Sequence, residues 1–115
     1  MGDDRSEIVQ GSLDLTVLKT LDAMAPMHGY GIALRIEQVA EDALKVNQGT
    51  LYICLVRLLQ RKWLSATWGT SENHRRAQFY TLTAAGKWHL QAETANWERV
   101  SGVMSRMLQL QKVQS

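Results

Sequence analysis

The chain has 115 residues, a formal net charge of +2 and a hydrophobic fraction of 45%, which describe one modest globular domain and leave little room for an enzyme with a deep enclosed site. Its single cysteine, Cys54, excludes an intramolecular disulfide, and no apolar run is long enough to span a bilayer. The first residues are polar and acidic, whereas a secretory signal is basic and then apolar, so we expect a cytoplasmic protein.

The N-terminal part of the chain predicts a lead-in and one helix. Residues 1–11 are polar and aperiodic, which indicates a loosely ordered segment. From Ser12, a candidate N-cap, apolar residues recur at helical spacing as far as Pro26. Leu15 lies off that apolar stripe and is available to contact another element or another subunit. The stripe itself comprises Leu13, Val17, Leu18, Leu21 and Met24.

A second, shorter amphipathic helix follows a break at residues 27–31. His28 lies in the break and has no partner at metal-ligand or catalytic spacing, so we interpret it as a turn residue that bonds to the backbone. Residues 41–46 alternate enough for one or two strand-like pairings. The apolar positions of the second helix are Ile32, Ala33, Ile36, Val39 and Ala40.

Residues 47–62 predict a third helix with two different faces. Asn47 is its candidate N-cap, so free backbone amides and the positive end of the helix dipole would lie near Gln48. The inner face comprises Leu51, Leu55, Leu58 and Leu59. The outer face comprises Gly49, Thr50, Ile53, Arg57, Gln60 and Arg61. Such a face can lie on a polyanion or can be an ordinary solvated helix surface.

A basic β-hairpin is predicted after the third helix. Residues 64–68 and 78–82 have strand character, and the turn-rich stretch 69–77 between them contains His74, Arg75 and Arg76. Helices followed by a basic hairpin describe a winged helix-turn-helix over residues 12–82, in which the third helix enters a major groove and the wing reaches a flanking phosphate backbone. The fold class is therefore mainly α with a small β-hairpin.

The last predicted element is a long helix from the cap Thr83 to about Leu110, within a C-terminal region of residues 83–115. Its apolar stripe is too broad for a small head to cover, which favours a second copy of the chain as its partner. The alternative is a helix folded back within one chain. The predicted dimer interface comprises Leu90, Trp97, Val100, Met104 and Met107, widened by Val103 and Leu108.

The order of several short motifs resembles the PadR family of phenolic-acid-responsive transcriptional repressors. The resemblance covers nearly everything from residue 12 to residue 110. It departs from the family pattern at Gln48 and Ile53, two positions where proline is frequent, and at the wing tip, where residues 72–74 replace the usual glycines. The matching segments are His28-Gly29-Tyr30, Gly49-Thr50-Leu51-Tyr52, Trp68-Gly69, Arg75-Arg76 and Phe79-Tyr80-Thr81-Leu82-Thr83-Ala84-Ala85-Gly86.

The resemblance implies a winged helix-turn-helix head, the small class of the family with a single C-terminal dimerisation helix, and DNA binding by the third helix and wing. It also implies that a planar aromatic ligand could stack between paired tryptophans near the two-fold axis, with Trp97 at the matching position. Trp97 could instead be an interface anchor. Its expected neighbours on spacing grounds are Leu15, Val100, Ser101 and Met104.

We therefore predict a homodimeric DNA-binding repressor, without cofactor or metal, that recognises a near-palindromic operator in double-stranded DNA. The rival hypothesis is a winged-helix protein-interaction module, and an enzyme is disfavoured because no catalytic or metal-ligand spacing is present. The predicted DNA contacts are Asn47, Gln48, Gly49, Thr50, Tyr52, Ile53, Arg57, Arg61, His74, Arg75 and Arg76.

Overall fold

A computed structural model describes residues 6–7, 10–41 and 43–113 of the chain. The described part contains four helices and two small two-stranded sheets. The four helices and the antiparallel hairpin are the elements that the sequence predicts for a winged helix-turn-helix. In chain order the helices and strands are β1 (Ser6–Glu7), α1 (Gln10–Met24), α2 (Gly29–Val39), β2 (Leu44–Lys45), α3 (Gln48–Gln60), β3 (Leu64–Thr70), β4 (Arg76–Leu82) and α4 (Ala84–Leu108).

The core lies where α1, α2 and α3 pack together under the first residues of β3 and the last residues of β4. It confirms most of the predicted apolar faces, although Met24 and Val39, at the ends of α1 and α2, are exposed. Both are the last residues of their helices, so helical spacing alone does not bury them. The fully buried large side chains are Leu13, Val17, Leu18, Leu21, Ile32, Leu51, Cys54 and Leu58.

The beginning of the chain differs from the prediction. Helix α1 begins at Gln10, so Ser12 lies inside the helix and is not its N-cap; its carbonyl accepts a hydrogen bond from the Thr16 hydroxyl at 2.6 Å. Residues 6–7 are also more ordered than predicted, because β1 pairs in parallel with β2. Residues 6–7 are therefore the partner of the strand-like pairing predicted within residues 41–46. The remaining residues of the lead-in lie outside the described residues, except Gln10 and Gly11 in α1.

The wing is an antiparallel hairpin in which Leu64 pairs with Leu82 and Thr70 with Arg76. Its strands are longer than predicted, so Arg76 lies in a strand and not in the turn. The backbone of Met27 adds a third, one-residue strand, because its N–H and C=O both bond to Tyr80, at 3.2 and 2.8 Å. These bonds attach the base of the wing to the residues just before α2.

Helix α4 is attached to the end of α3 at its beginning and leaves the head further along. Thr83 caps α4 by accepting from the Gly86 N–H at 3.0 Å, while its own N–H and hydroxyl donate to the carbonyls of Trp63 and Lys62. The helix is about 37 Å long at 1.5 Å per residue. After Leu90 it contributes no fully buried side chain to the described core. No helix in the described residues is long and apolar enough to cross a membrane.

Candidate nucleic-acid interface

The N-terminus of α3 has the geometry that the sequence predicts. Asn47 adopts an extended conformation, and its side-chain oxygen accepts from the Thr50 N–H at 3.0 Å. This is a local N-cap: the oxygen satisfies one of the first backbone donors of the helix. Asn47, Gln48 and Gly49 are exposed, and Thr50 is half-buried. The remaining free amides of the first turn therefore face solvent, where an anionic oxygen can approach them.

The outer side of α3 presents two large side chains to solvent. Tyr52 and Ile53 are 64% and 63% exposed. Tyr52 and Tyr80 of the wing line the same groove. Burial raises the pKa of Tyr80, and the neighbouring Tyr52 phenol raises it further. The outer face of α3 thus continues onto one face of the wing.

Arg57 does not belong to that outer face, which corrects the prediction. Its guanidinium forms an ion pair with Asp14 of α1, and both side chains are only 20% exposed. The same carboxylate accepts a hydrogen bond from the Cys54 thiol at 3.0 Å. Burial raises the pKa of Cys54 to about 12, and the hydrogen bond to Asp14 adds to this effect. Arg57 is therefore used to hold α3 against α1.

The predicted cations of α3 and the wing are only partly brought together. Arg61 is the C-cap of α3, about 20 Å along the helix from Gln48, and its guanidinium lies 5.2 Å from the ring of Trp63. His74, Arg75 and Arg76 are exposed at and beside the wing tip. His74 takes a left-handed conformation with φ of 58°, at the tip where the family pattern has glycines. Arg75 and Arg76 line a groove with Gln48 and Tyr52, and Arg61 does not.

A groove of about 880 Å³ runs along α2 and joins it to the start of α3 and to the wing. Three of its polar side chains were not among the predicted DNA contacts: Tyr30, Arg35 and Gln38, all exposed on α2. Tyr30 and Gln38 are eight residues apart, two steps of i,i+4, so a search for polar residues on the outer face of α2 would have found them. Gln48, Tyr52, Arg75 and Arg76 line the same groove.

The groove and the outer face of α3 together form a surface suited to recognising nucleic acid. Guanidinium, amide and phenol groups donate hydrogen bonds to phosphate oxygens and to base edges, and the exposed aromatic and aliphatic groups can meet apolar base surfaces. Among the described residues, no group of three or more His, Cys, Asp or Glu side chains could hold a metal ion. The surface offers binding groups and no recognisable catalytic constellation.

Two of the residues predicted for the dimer interface and the ligand site pack within their own chain, and the other apolar ones are exposed on α4. Leu90 is 6% exposed and packs in the core of its own chain, so the prediction that it forms part of a dimer interface is wrong. Leu15 packs against that core and lines a second groove, of about 930 Å³, between α1, α2 and α4. Trp97 is not among the residues that line this groove. The residues of the stripe beyond Leu90 are exposed: Trp97, Val100, Val103, Met104, Met107 and Leu108.

Comparison with known proteins agrees with the fold and with the order of the motifs. Residues 17–92 match the sequence pattern of the transcriptional regulator PadR-like family. The chain is 22% identical to a PadR-like transcriptional regulator from Bacillus cereus, with a TM-score of 0.75 over 89% of this chain and 96% of that one. For a PadR family transcription regulator from Clostridium difficile, the identity is 26% and the TM-score 0.70, over 84% and 97% of the two chains. An uncharacterized protein from Lysinibacillus sphaericus is 24% identical over 91% of this chain and 95% of its own length.

Proposed function

Because the chain belongs to the PadR-like family of transcriptional regulators and is therefore a DNA-binding regulator and not an enzyme, we propose that it acts as a homodimeric repressor. Each protomer places α3 in a major groove and its wing on the adjacent backbone, so the operator is a near-palindrome with half-sites about one helical turn apart. A dimer bound across a promoter represses by occupying it.

The observation that carries the proposal is the continuous exposed face formed by the start of α3 and the wing. Tyr52 and Ile53 stand out from α3. Tyr52 shares a groove with Arg75 and Arg76, which extend from the wing. Arginine contacts to phosphate provide affinity that depends on salt but not on sequence, whereas side chains at the start of the helix discriminate between bases. We assign base contacts to Gln48, Gly49, Thr50, Tyr52 and Ile53, with Asn47 positioning the first turn.

Fluorescence anisotropy with duplex DNA from the region upstream of the protein's own gene tests DNA recognition. We expect tighter binding to this duplex than to a random duplex of equal length. Replacing Arg75 and Arg76 with alanine should weaken binding to both duplexes and lower the dependence of log K on log salt by about two units. The control, Lys87→Ala with Lys112→Ala, removes two exposed charges outside the wing and should change little. Equal affinity for both duplexes would refute sequence-specific repression.

Dimerisation through α4 is supported by the exposure of its apolar stripe. Trp97 is 53% exposed, and Val100, Met104 and Met107 follow it on the same side of the helix at spacings of three and four residues. Contiguous apolar surface of this kind marks a protein interface, and closed two-fold association is the commonest arrangement for identical chains. The stripe begins beyond the head, so a second chain can cover it without displacing α3 or the wing.

Sedimentation equilibrium tests the dimer directly. Met104→Glu places a charge within the stripe and should produce a monomer at concentrations where the wild-type protein is dimeric, because an unpaired buried charge is costly. Arg106→Glu lies on the opposite side of the same helix and should leave the dimer intact. A wild-type protein that stays monomeric at high micromolar concentration would contradict the proposal.

We also propose that a planar aromatic compound releases the repressor by binding between the two α4 helices at Trp97. Paired indoles across a two-fold axis provide flat apolar walls, and Val100, Ser101 and Met104 lie within two turns of Trp97. The ligand would change the angle between the two heads, and its effect is limited by its difference in affinity for the two dimer geometries.

Quenching of tryptophan fluorescence by a panel of flat aromatic compounds tests ligand binding. The chain has four tryptophans, so Trp97→Phe is measured beside the wild type to isolate the contribution of Trp97. We expect quenching that is lost in the variant, together with weaker DNA binding of the wild type in the presence of the same compound. A panel without quenching would leave Trp97 as an interface anchor.

A further inference from the structure

The wing presents an aromatic–cation pair that the DNA contacts described above do not explain. Trp68 lies in β3 and is 59% exposed. The guanidinium carbon of Arg76, in β4, lies 4.7 Å from the centre of its indole ring. Trp68 is paired with Gln78 in the hairpin, so Arg76 reaches it from the diagonal position two residues away. Among the described residues, no carboxylate lies within 4 Å of Arg76.

The register of the hairpin shows which way this pair faces. Residues directly opposite each other in an antiparallel pair lie on the same face, and every second residue of a strand returns to that face. Leu64 and Tyr80, both buried, therefore share a face with Trp68 and Arg76. At Leu64 and Tyr80 this face covers the core, and at Trp68 and Arg76 it is exposed to solvent. Tyr80, Gln78 and Arg76 of this face line one groove together with Tyr52. The outer part of the face therefore continues from the exposed side of α3.

The opposite face of the wing, at Gly69 and Phe79, packs against the helical head. A Cβ atom at Gly69 would lie 2.9 Å from ring atoms of Phe79, so only glycine leaves room for that ring on the other face. Phe79 packs edge-on against His28, with ring centroids 5.4 Å apart. One face of the wing is thus anchored to the start of α2, and the opposite face is left for Trp68 and Arg76.

We propose that Trp68 is a positioning residue for DNA binding: its indole holds the Arg76 guanidinium on the face that continues from α3, where the guanidinium meets a backbone phosphate. A free arginine side chain loses much rotamer freedom when it binds, and a planar contact with an aromatic ring restricts it beforehand. The stacked guanidinium keeps its N–H edges available as phosphate donors. This inference rests on the proposed use of the wing in DNA binding.

A double-mutant cycle on DNA affinity tests the coupling between the two residues. Trp68→Leu keeps apolar bulk in the strand but removes the aromatic face, and Trp68→Tyr retains such a face. Loss of an exposed cation–π contact corresponds to about a twofold to fivefold change in affinity, so we expect Trp68→Leu to weaken binding by that factor and Trp68→Tyr to restore most of it. In the background of Arg76→Ala, Trp68→Leu should have no further effect.

The salt dependence separates positioning from direct contact. Arg76→Ala should lower the salt slope by about one unit, because one phosphate contact is lost. Trp68→Leu should leave the slope at the wild-type value, since Arg76 still reaches the phosphate, although less often. Trp88→Ala provides a matched control: Trp88 is 64% exposed but lies on α4, and its loss should not alter binding.

The outcomes distinguish this inference from the proposed function. Wild-type protein without salt-dependent binding to duplex DNA would refute the use of the wing, and the inference with it. Wild-type binding that Trp68→Leu does not weaken, a loss that adds fully to that of Arg76→Ala, or a loss that Trp68→Tyr does not restore would overturn the positioning role alone. A circular dichroism melt of each variant confirms that the wing is folded.

Discussion

Replacing Gly86 with alanine should destabilise the protein strongly, although alanine is the better helix former. Gly86 lies in the first turn of α4, where a Cβ atom would be 2.1 Å from the carbonyl oxygen of Trp63. That carbonyl cannot easily move away, because it accepts the Thr83 N–H at 3.0 Å and the preceding carbonyl, of Lys62, accepts the Thr83 hydroxyl at 2.7 Å. The substitution therefore forces the end of α3 and the start of α4 apart.

The magnitude follows from three contributions. Overpacking of this kind costs about 1–3 kcal/mol, and weakening the two Thr83 hydrogen bonds adds about 1 kcal/mol for each. The intrinsic helix preference of alanine over glycine returns at most about 1 kcal/mol. The expected net loss in the free energy of unfolding is about 2–4 kcal/mol, which lowers Tm by roughly 10–20 °C for a domain of this size.

Urea denaturation followed by circular dichroism, at one fixed protein concentration, measures this loss. Gly102→Ala is the matched control in the same helix, because the new methyl group would meet only the end of the Arg106 side chain, at 3.8 Å. We expect the control to raise the free energy of unfolding by about 0.5–1 kcal/mol. A Gly86→Ala variant as stable as the control would refute the reasoning, since helix preference would then outweigh the contact with Trp63.

Three further predictions concern stability. Lys62 has φ of 63° at the residue after the C-cap of α3, so Lys62→Gly should raise the free energy of unfolding by up to about 1 kcal/mol in denaturant titration. The pKa of Cys54 is about 12 in the folded protein and 9.0 ordinarily, so the contribution of this thiol to the free energy of unfolding should fall by about 1.4 kcal/mol per pH unit between about pH 9 and pH 12, where only the unfolded thiol loses its proton. Asp14→Ala leaves Arg57 without its partner in a partly buried position and should cost about 1–3 kcal/mol by urea denaturation.

Each of these predictions has a specific control. Lys87→Gly, inside α4, should lower the free energy of unfolding. If both glycine variants raise it, the left-handed conformation of Lys62 is not the cause of the gain. Cys54→Ala should remove the thiol's contribution to the pH dependence; an unchanged slope would show that another group causes it. Arg57→Met in the Asp14→Ala background should recover part of the stability that Asp14→Ala loses. A further loss of stability would show that the unpaired Arg57 charge is not the cause.

The sequence by itself determined the helices, the wing and the caps Asn47 and Thr83, although it misplaced the start of α1 at Ser12. His28, Asn47 and Thr83 each accept a hydrogen bond from a backbone N–H three residues later. Contacts over so short a separation depend only on neighbouring residues, and the hydrophobic period depends only on helical geometry. The order of the motifs also indicates the family. Two of the motif glycines, Gly69 and Gly86, stand where a Cβ atom would clash with a neighbouring residue.

Only the tertiary structure decided how side chains on the borders of helix faces are used. Helical projection placed Arg57 on the outer face of α3, yet Asp14, 43 residues earlier, draws it toward α1. Projection also grouped Leu90 with the exposed stripe, although the head covers it. The pairing of β1 with β2 and the stacking of Arg76 on Trp68 likewise join segments that no local pattern connects. These choices depend on which distant residue packs alongside, and the sequence period carries no information about that.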